Sequence, residues 1–261
     1  MKKLFFGLAG ISLLALCCNS NYDNSDSKDT TQKVVSVFSG NWISRNYIDS
    51  LYKYGSPKKA NESPLEMVIS FAADSLCLFN FDGENKVFLI TDVTDTSFSV
   101  QNFNEEEITE FYLSANKREL SYAGSNNKRF AFQKIEPKYA VKSIDGWKSA
   151  FEIYFNEMTI AANYFLLNTE NKPGSEVAFT SYGQVIGLAK YKSYKICYGG
   201  DCLKKSGDDI IELSDAETTD EYICQWEDGT LLFYSITNIS KTNEPPVYIK
   251  GPAIFRFKKN M

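Results

Sequence analysis

The sequence predicts an all-β protein, mainly antiparallel, with one or two short helices. Short segments of alternating apolar and polar residues recur along the chain, and turn-forming residues separate them. The chain has 19 Phe and 16 Tyr, and aromatic side chains favour strands. We expect these strands to form barrel modules, two in tandem. The alternative is a single large barrel or sandwich that a helix crosses.

The first residues of the chain are typical of an export signal. An MKK start is followed by an apolar run over 4–16, which ends at Cys17 and Cys18. A basic start and an apolar run of about 7–15 residues indicate a signal peptide, here 1–17. A membrane-spanning helix needs about 20 apolar residues, so this run is too short to span.

The residues LALCC at the end of this run resemble the lipobox of bacterial lipoproteins, in which a Cys receives diacylglycerol and fatty acyl chains. The resemblance implies lipidation of Cys18, because the small residue Cys17 precedes the cut. Lipidation of Cys17 and an ordinary secretory signal are the alternatives. The resemblance also implies a lipid anchor to a membrane of the bacterial cell envelope, with the outer membrane favoured, on its periplasmic or surface face.

Residues 18–33 form the next predicted segment, a lipidated flexible tether. It is polar and has one aromatic and no aliphatic residue after the cysteines, so it cannot bury enough surface to offset the entropy of ordering. The net charge of the whole chain is −5. Because no segment is strongly basic, nucleic acid is not an expected partner.

The first barrel module is predicted over 34–136. Alternation and apolar runs predict strands, and 102–107 is predicted as a turn. A helix is expected over Arg45–Tyr54, with Ser44 able to cap its start and Gly55 its end. The predicted strands include Leu65–Phe71, Ser75–Phe81, Lys86–Thr91 and Ser97–Gln101 and segments around Leu120 and Phe130.

The second module is predicted over 137–261 and begins with a helix at Asp145–Met158. Its apolar stripe favours a helix packed on a barrel over a cofactor site; the stripe comprises Trp147, Phe151, Tyr154, Met158 and Ala161. Seven short strands are expected after it. They are Val177–Thr180, Gln184–Leu188, Lys192–Tyr198, Ile210–Leu213, Glu221–Trp226, Leu231–Thr237 and Ala253–Lys258.

A weak internal repeat supports two related modules. Gly40-Asn41-Trp42 opens the first, and Ala162-Asn163-Tyr164 opens the second. The segment RFAFQK at 129–134 parallels IFRFKK at 254–259.

Gly40 and Trp42 carry a second resemblance, because Gly-x-Trp is similar to the motif that begins lipocalin-like barrels. This resemblance implies that Trp42 plugs one end of a barrel whose interior holds a small, mostly apolar ligand. The second module lacks both the Gly and the Trp. Aromatic residues expected to line the interiors are Phe79, Phe88, Phe98, Tyr194, Tyr222 and Trp226.

Cys197 and Cys202 are the most specific local pair. They flank a four-residue turn that contains Gly-Gly, which brings them within disulfide reach. Export makes oxidation plausible. Cys224 is a competing partner, and Cys77 would then be unpaired or cross-linked elsewhere. A metal site is not expected here, because the chain has no His and few other ligands.

The chemistry of the chain argues against catalysis. The absence of His removes the commonest general base and every Ser-His-Asp arrangement. The acidic clusters at 105–107 and Asp208-Asp209 are interpreted as solvated turns. No cofactor is expected. The leading hypothesis is a lipid-anchored binding protein for an apolar ligand; the alternative is an envelope protein with side-chain-filled barrels that contacts another protein or a glycan.

Overall fold

The computed structural model consists of two antiparallel β-sheets and three short helices in the residues it describes. The all-β expectation is confirmed, and the strands form two sheets. The predicted leader and tether, with Cys17 and Cys18, lie outside the described residues. The described residues are 37–60, 65–70, 74–80, 86–103, 108–124, 128–136, 150–168, 170, 172–188 and 190–260.

The first sheet is a closed barrel of eight strands, each paired with its neighbours in sequence. The strands are β1 (Gly40–Ser44), β2 (Leu65–Ser70), β3 (Ser75–Asn80), β4 (Lys86–Thr91), β5 (Ser97–Gln101), β6 (Ile108–Leu113), β7 (Glu119–Ala123) and β8 (Arg129–Lys134). Pairing of β1 with β8 closes the ring and places Trp42 opposite Lys134. Gly40 has a φ of 120°, which an L side chain rarely adopts.

Two helices lie between β1 and β2: α1 (Arg45–Tyr54), with the predicted bounds, and α2 (Pro57–Ala60). Gly55 ends α1 in the left-handed conformation, and its N–H donates to the Leu51 carbonyl. The predicted cap at Ser44 is wrong, because this side chain makes no capping hydrogen bond. Ser44 is instead the last residue of β1, where it pairs with Phe132 of β8.

The second sheet also has eight strands and follows α3 (Ala150–Thr159). Its strands are β9 (Ala162–Leu167), β10 (Pro173–Phe179), β11 (Val185–Ile186), β12 (Ser193–Ile196), β13 (Asp209–Ser214), β14 (Thr219–Glu227), β15 (Thr230–Asn238) and β16 (Tyr248–Lys259). β9 pairs with β16, as β1 does with β8, and β11 and β12 are the ends of the sheet. A single bridge between Gln184 and Ser193 joins these two ends. Both sheets therefore have the same order of neighbouring strands, in a closed barrel in the first and in a sheet whose ends meet at one bridge in the second.

The first strands of the two sheets carry matching aromatic anchors. Trp42 is fully buried, and its Nε1 donates to the Phe38 carbonyl four residues earlier at 2.8 Å. Tyr164 is also buried, and its hydroxyl donates to the Ile160 carbonyl four residues earlier at 2.7 Å. Two different side chains thus make the same local hydrogen bond at equivalent positions of the repeat.

The ends of each sheet match as well. The Ile135 N–H donates to the Asn41 carbonyl at 2.9 Å, directly after β8. The Asn260 N–H donates to the Asn163 carbonyl at 2.9 Å, directly after β16. The structural equivalence supports the repeat that the sequence indicated.

Several strands differ from the prediction. Strands β6 and β9 were not predicted as strands. In β6 the burial runs against the polarity, since Thr109 is buried, whereas Ile108 and Tyr112 are exposed. Strand β16 begins at Tyr248 rather than Ala253, since it pairs with the whole length of β15 through two register shifts.

Helix α3 also differs from its prediction. Of the predicted stripe, Phe151 is fully buried, but Tyr154 and Met158 are only partly buried. The helix buries Ile153 and Phe155 instead. It is contacted from both halves of the chain, since Gln133 of β8 donates to the Tyr154 hydroxyl and the Tyr198 hydroxyl donates to Glu152.

The hydrophobic core falls into two clusters. One fills the first barrel with side chains from its own strands and from Phe38. The other fills the second sheet and includes residues of α1, α2 and α3. Tyr47 of α1 contacts Phe151 of α3 edge to face, with 6.0 Å between ring centroids. Residues within the predicted first module, 34–136, thus contribute to the core of the second.

Candidate functional site

The predicted ligand-lining residues of the first barrel are part of its packed core. Phe98 is fully buried, stacks on Phe111 at 5.1 Å and meets Phe38 edge to face at 5.2 Å between ring centroids. Phe88 is half-buried against the same core and lies 4.9 Å from the Phe103 ring. The side chain of Phe79 lies outside the described residues. These aromatic rings pack on one another where a ligand was expected.

In the second sheet, two of the three predicted lining residues also bind protein groups. Tyr194 is buried, and its hydroxyl donates to the Thr180 carbonyl at 2.7 Å. The hydroxyls of Tyr222 and Tyr191 lie 2.6 Å apart, and Tyr191 donates to Asp220 at 2.7 Å. These hydroxyls thus bond to groups of the protein itself.

Trp226 is different, because 43% of its surface is exposed. It lies opposite the buried Leu231 in the β14–β15 pair, which places it on the inward face at the end of β14. One side of its indole is near Tyr164, with ring centroids 6.2 Å apart.

Trp226 lines a cavity of about 250 Å³ at this end of the second barrel, which we call the mouth cleft. Its walls come from the α1–α2 turn, the end of α3 and strands β12 to β15. Its lining includes two aromatic residues, Tyr54 and Trp226, and three charged residues, Asp208, Asp209 and Lys59. The cleft therefore combines flat apolar surfaces with paired polar groups, as small-molecule sites do.

Asp209 joins the two halves of the chain. Its Oδ1 accepts hydrogen bonds from the Ser56 hydroxyl at 3.0 Å and from the Lys58 N–H at 2.8 Å. Burial raises the pKa of the Asp209 carboxyl, against the hydrogen bonds from Lys58 and Ser56, which lower it. The prediction that Asp209 lies in a solvated turn is wrong, because the α1–α2 turn covers it.

Asp208 lies on the rim of the cleft. Its Oδ1 accepts a hydrogen bond from Gln225 Nε2 at 2.6 Å, and the Gln225 Oε1 accepts one from Lys250 Nζ at 2.9 Å. The three side chains form one polar row, and two of its members, Asp208 and Gln225, line the cleft.

A disulfide closes the loop that leads into β13. Cys197 and Cys202 are joined with an S–S distance of 2.05 Å, and Cys202 lies in the middle of a 3₁₀ helix over Gly200–Lys204. Lys58 Nζ donates to the Leu203 carbonyl of this helix. Cys224 is therefore not the partner of Cys197; it is a buried thiol whose pKa burial raises strongly.

Ser56 and Lys59 were not identified from the sequence as site residues. Ser56 lies in the turn before α2 and Lys59 within that four-residue helix, where nothing in the local sequence marks a site, and 153 positions separate Ser56 from Asp209. Trp226 was identified, because alternation in β14 places it on the inward face.

Two further findings concern the chemistry and the membrane. Within the described ranges, no group of three or more Cys, Asp or Glu side chains is arranged to hold a metal ion. None of the helices in the described part of the chain is long and apolar enough to cross a membrane.

The sequence matches no protein-family model, and no curated protein matches it.

Proposed function

We propose that this chain is a lipid-anchored protein of the bacterial cell envelope that binds a small ligand in the mouth cleft. The cleft is the observation that carries the proposal, because it combines a half-exposed indole, Trp226, with polar groups in a partly open cavity of about 250 Å³. The cysteines Cys17 and Cys18, in their lipobox-like setting, support the anchor.

This proposal moves the ligand of the sequence-based hypothesis from a barrel interior to a barrel mouth. The packed aromatic rings around Phe98 favour barrels whose interiors are filled by side chains. We also propose that the barrels are lipocalin-like. Gly40 and the buried Trp42, which occupies the position of the plug in that resemblance, support this relationship.

We propose binding rather than catalysis. The carboxylates of Asp208 and Asp209 accept hydrogen bonds from an amide, a hydroxyl and a backbone N–H. The chain has no His to act with them as a general base. These features favour groups that hold a ligand in place.

A second candidate is an envelope protein that contacts another protein. Val87 and Leu89 point outward from β4 and are about half exposed, at 53% and 50%. Exposed apolar side chains on one strand face suit contact with a partner.

Native mass spectrometry of the full chain, extracted from membranes of an exporting host, tests these proposals. We expect a covalent lipid mass on a chain cut before Cys17 or Cys18, and a dissociable small-molecule mass. In Gly207→Phe that dissociable mass should be lost, because Gly207 lines the cleft and a Cβ there meets nothing within 4 Å.

The control variant is Lys258→Phe, which adds the same ring at an exposed position of β16. It should retain the small-molecule mass. A co-extracted protein with no small-molecule mass would favour the second candidate, and a chain without lipid would overturn the anchor.

A further inference from the structure

The mouth cleft has the features of a site for a neutral sugar ring. We propose that it binds one pyranose unit, whose apolar face lies on Trp226 and whose hydroxyls bond to the rim. The inference rests on the proposed function, since it names the class of ligand for the same cleft.

The aromatic surface is the first argument. Trp226 is half-exposed at the inner side of the opening, and Tyr54, 46% exposed, lines the same cavity. Tyr164 lies near the Trp226 indole and supports it from within the barrel. The face of an indole carries partial negative charge, and the C–H bonds on one face of a pyranose present partial positive charge. A sugar ring thus fits this surface in shape and in charge.

The polar row on the rim is the second argument. A sugar hydroxyl donates one hydrogen bond and accepts others, so its site needs donors and acceptors side by side. Asp208 offers acceptor oxygens, and Gln225 offers an amide with both kinds of atom. Both residues line the cleft together with Trp226.

Charge balance is the third argument. Charges of both signs line the cleft, from Asp208 and Asp209 and from Lys59. A cationic ligand would meet the ammonium of Lys59, and an anionic ligand would meet the two carboxylates. Neutral donors already satisfy an oxygen of each carboxylate. The cleft therefore favours a neutral ligand with hydroxyl groups.

Size is the fourth argument. A cleft of about 250 Å³ is smaller than the roughly 300–1,000 Å³ that pockets for drug-sized ligands occupy. It suits a single ring better than a long acyl chain. A larger glycan would place one unit in the cleft and extend into solvent.

Saturation-transfer NMR and calorimetry of the full chain in detergent test the inference. The probes are the methyl glycosides of glucose, galactose, mannose and N-acetylglucosamine, with spermidine and palmitate as cationic and apolar comparisons. We expect at least one glycoside to bind, with transfer to its ring protons. We expect Trp226→Ala to weaken this binding at least tenfold.

Tyr112→Ala is the matched control, because Tyr112 is a half-exposed aromatic residue on the first barrel. It should bind the glycoside as the wild type does. If Trp226→Ala fails to fold, Gly207→Phe tests the same cleft by filling it.

The outcomes separate the inference from the proposed function. Binding of spermidine or palmitate alone, sensitive to Gly207→Phe, would overturn the sugar inference and leave a ligand-binding cleft. Glycoside binding that neither cleft variant weakens would overturn the site. If no probe binds and no small-molecule mass is extracted with the chain, both are overturned.

Discussion

The two barrels share one strand order but differ in how they close and in what fills them. A ladder between β1 and β8 closes the first barrel, and its core comes from its own strands and Phe38. One bridge, between Gln184 and Ser193, joins the ends of the second sheet, whose core includes residues of α1, α2 and α3. In the part of the molecule that the structure describes, the mouth cleft lies at the second barrel, whose core the helices complete.

The two cores also differ in polarity. The first is mainly aromatic and aliphatic, with rings such as Phe98, Phe103 and Phe111 in mutual contact. The second contains tyrosines with bonded hydroxyls, including Tyr164 and Tyr194, whose pKa values burial raises. The first core holds the hydrogen bond from Trp42 to the Phe38 carbonyl among its packed rings, whereas the second holds several tyrosine hydroxyls with defined partners.

The largest expected effect is in the first core. Phe98→Ala should lower the free energy of unfolding by about 3–5 kcal/mol, because it leaves a cavity among packed rings. Chemical denaturation measures this change. Tyr112→Ala, on the neighbouring strand but half-exposed, should stay within about 0.5 kcal/mol of the wild type. A loss below about 1 kcal/mol for Phe98→Ala would mean that the barrel interior is not tightly filled.

The disulfide distinguishes the second barrel from the first. Replacing Cys197 and Cys202 with Ser should lower the free energy of unfolding by about 2 kcal/mol, since the bond closes a short loop in the unfolded chain. Denaturation with and without reductant measures this effect. Reductant should bring the wild type to the level of the double variant and leave the variant unchanged. Equal sensitivity of both proteins would contradict this account.

The smallest expected effect concerns the buried carboxyl of Asp209. Its raised pKa means that the folded state binds the proton more tightly than the unfolded state. The stability from this group is present below the ordinary Asp pKa of about 3.9 and is lost as the pH rises through the raised value. Asp209→Asn should therefore melt at a slightly higher temperature than the wild type at pH 7, and at the same temperature near pH 3.

The control for this substitution is Asp228→Asn in the β14–β15 turn, where the residue has a φ of 49° that Asn tolerates. It removes one negative charge from an exposed site. A lower melting temperature for Asp209→Asn at pH 7 would show that hydrogen bonds to the carboxylate outweigh its burial.

The sequence was informative where local chemistry determines structure. Helix α1 has the predicted bounds because Gly55 supplies a left-handed end. Strands β4 and β5 also have the bounds expected from their residues. Strand β6 escaped prediction because buried Thr109 and exposed Ile108 invert the usual pattern.

The site was only partly predictable. Alternation placed the side chains of Phe98 and Trp226 on inward faces. Whether such a side chain fills the barrel or lines a cavity depends on the diameter of the barrel. Ser56 covers Asp209 through a hydrogen bond between residues that are 153 positions apart in the sequence. No local pattern contains that contact, so an acidic pair in a loop looked solvated.

The pairing of the first and last strands has a consequence for how such a chain is assembled. Since β1 lies beside β8, and β9 beside β16, each barrel starts and finishes at one side of its ring. One unit can therefore follow another without threading the chain through its neighbour, while the contacts of α1 and α2 with the second core join the two units. The hydrogen bonds of Trp42 and Tyr164 lie at the same point of each unit, at its first strand, where one unit can follow another along the chain.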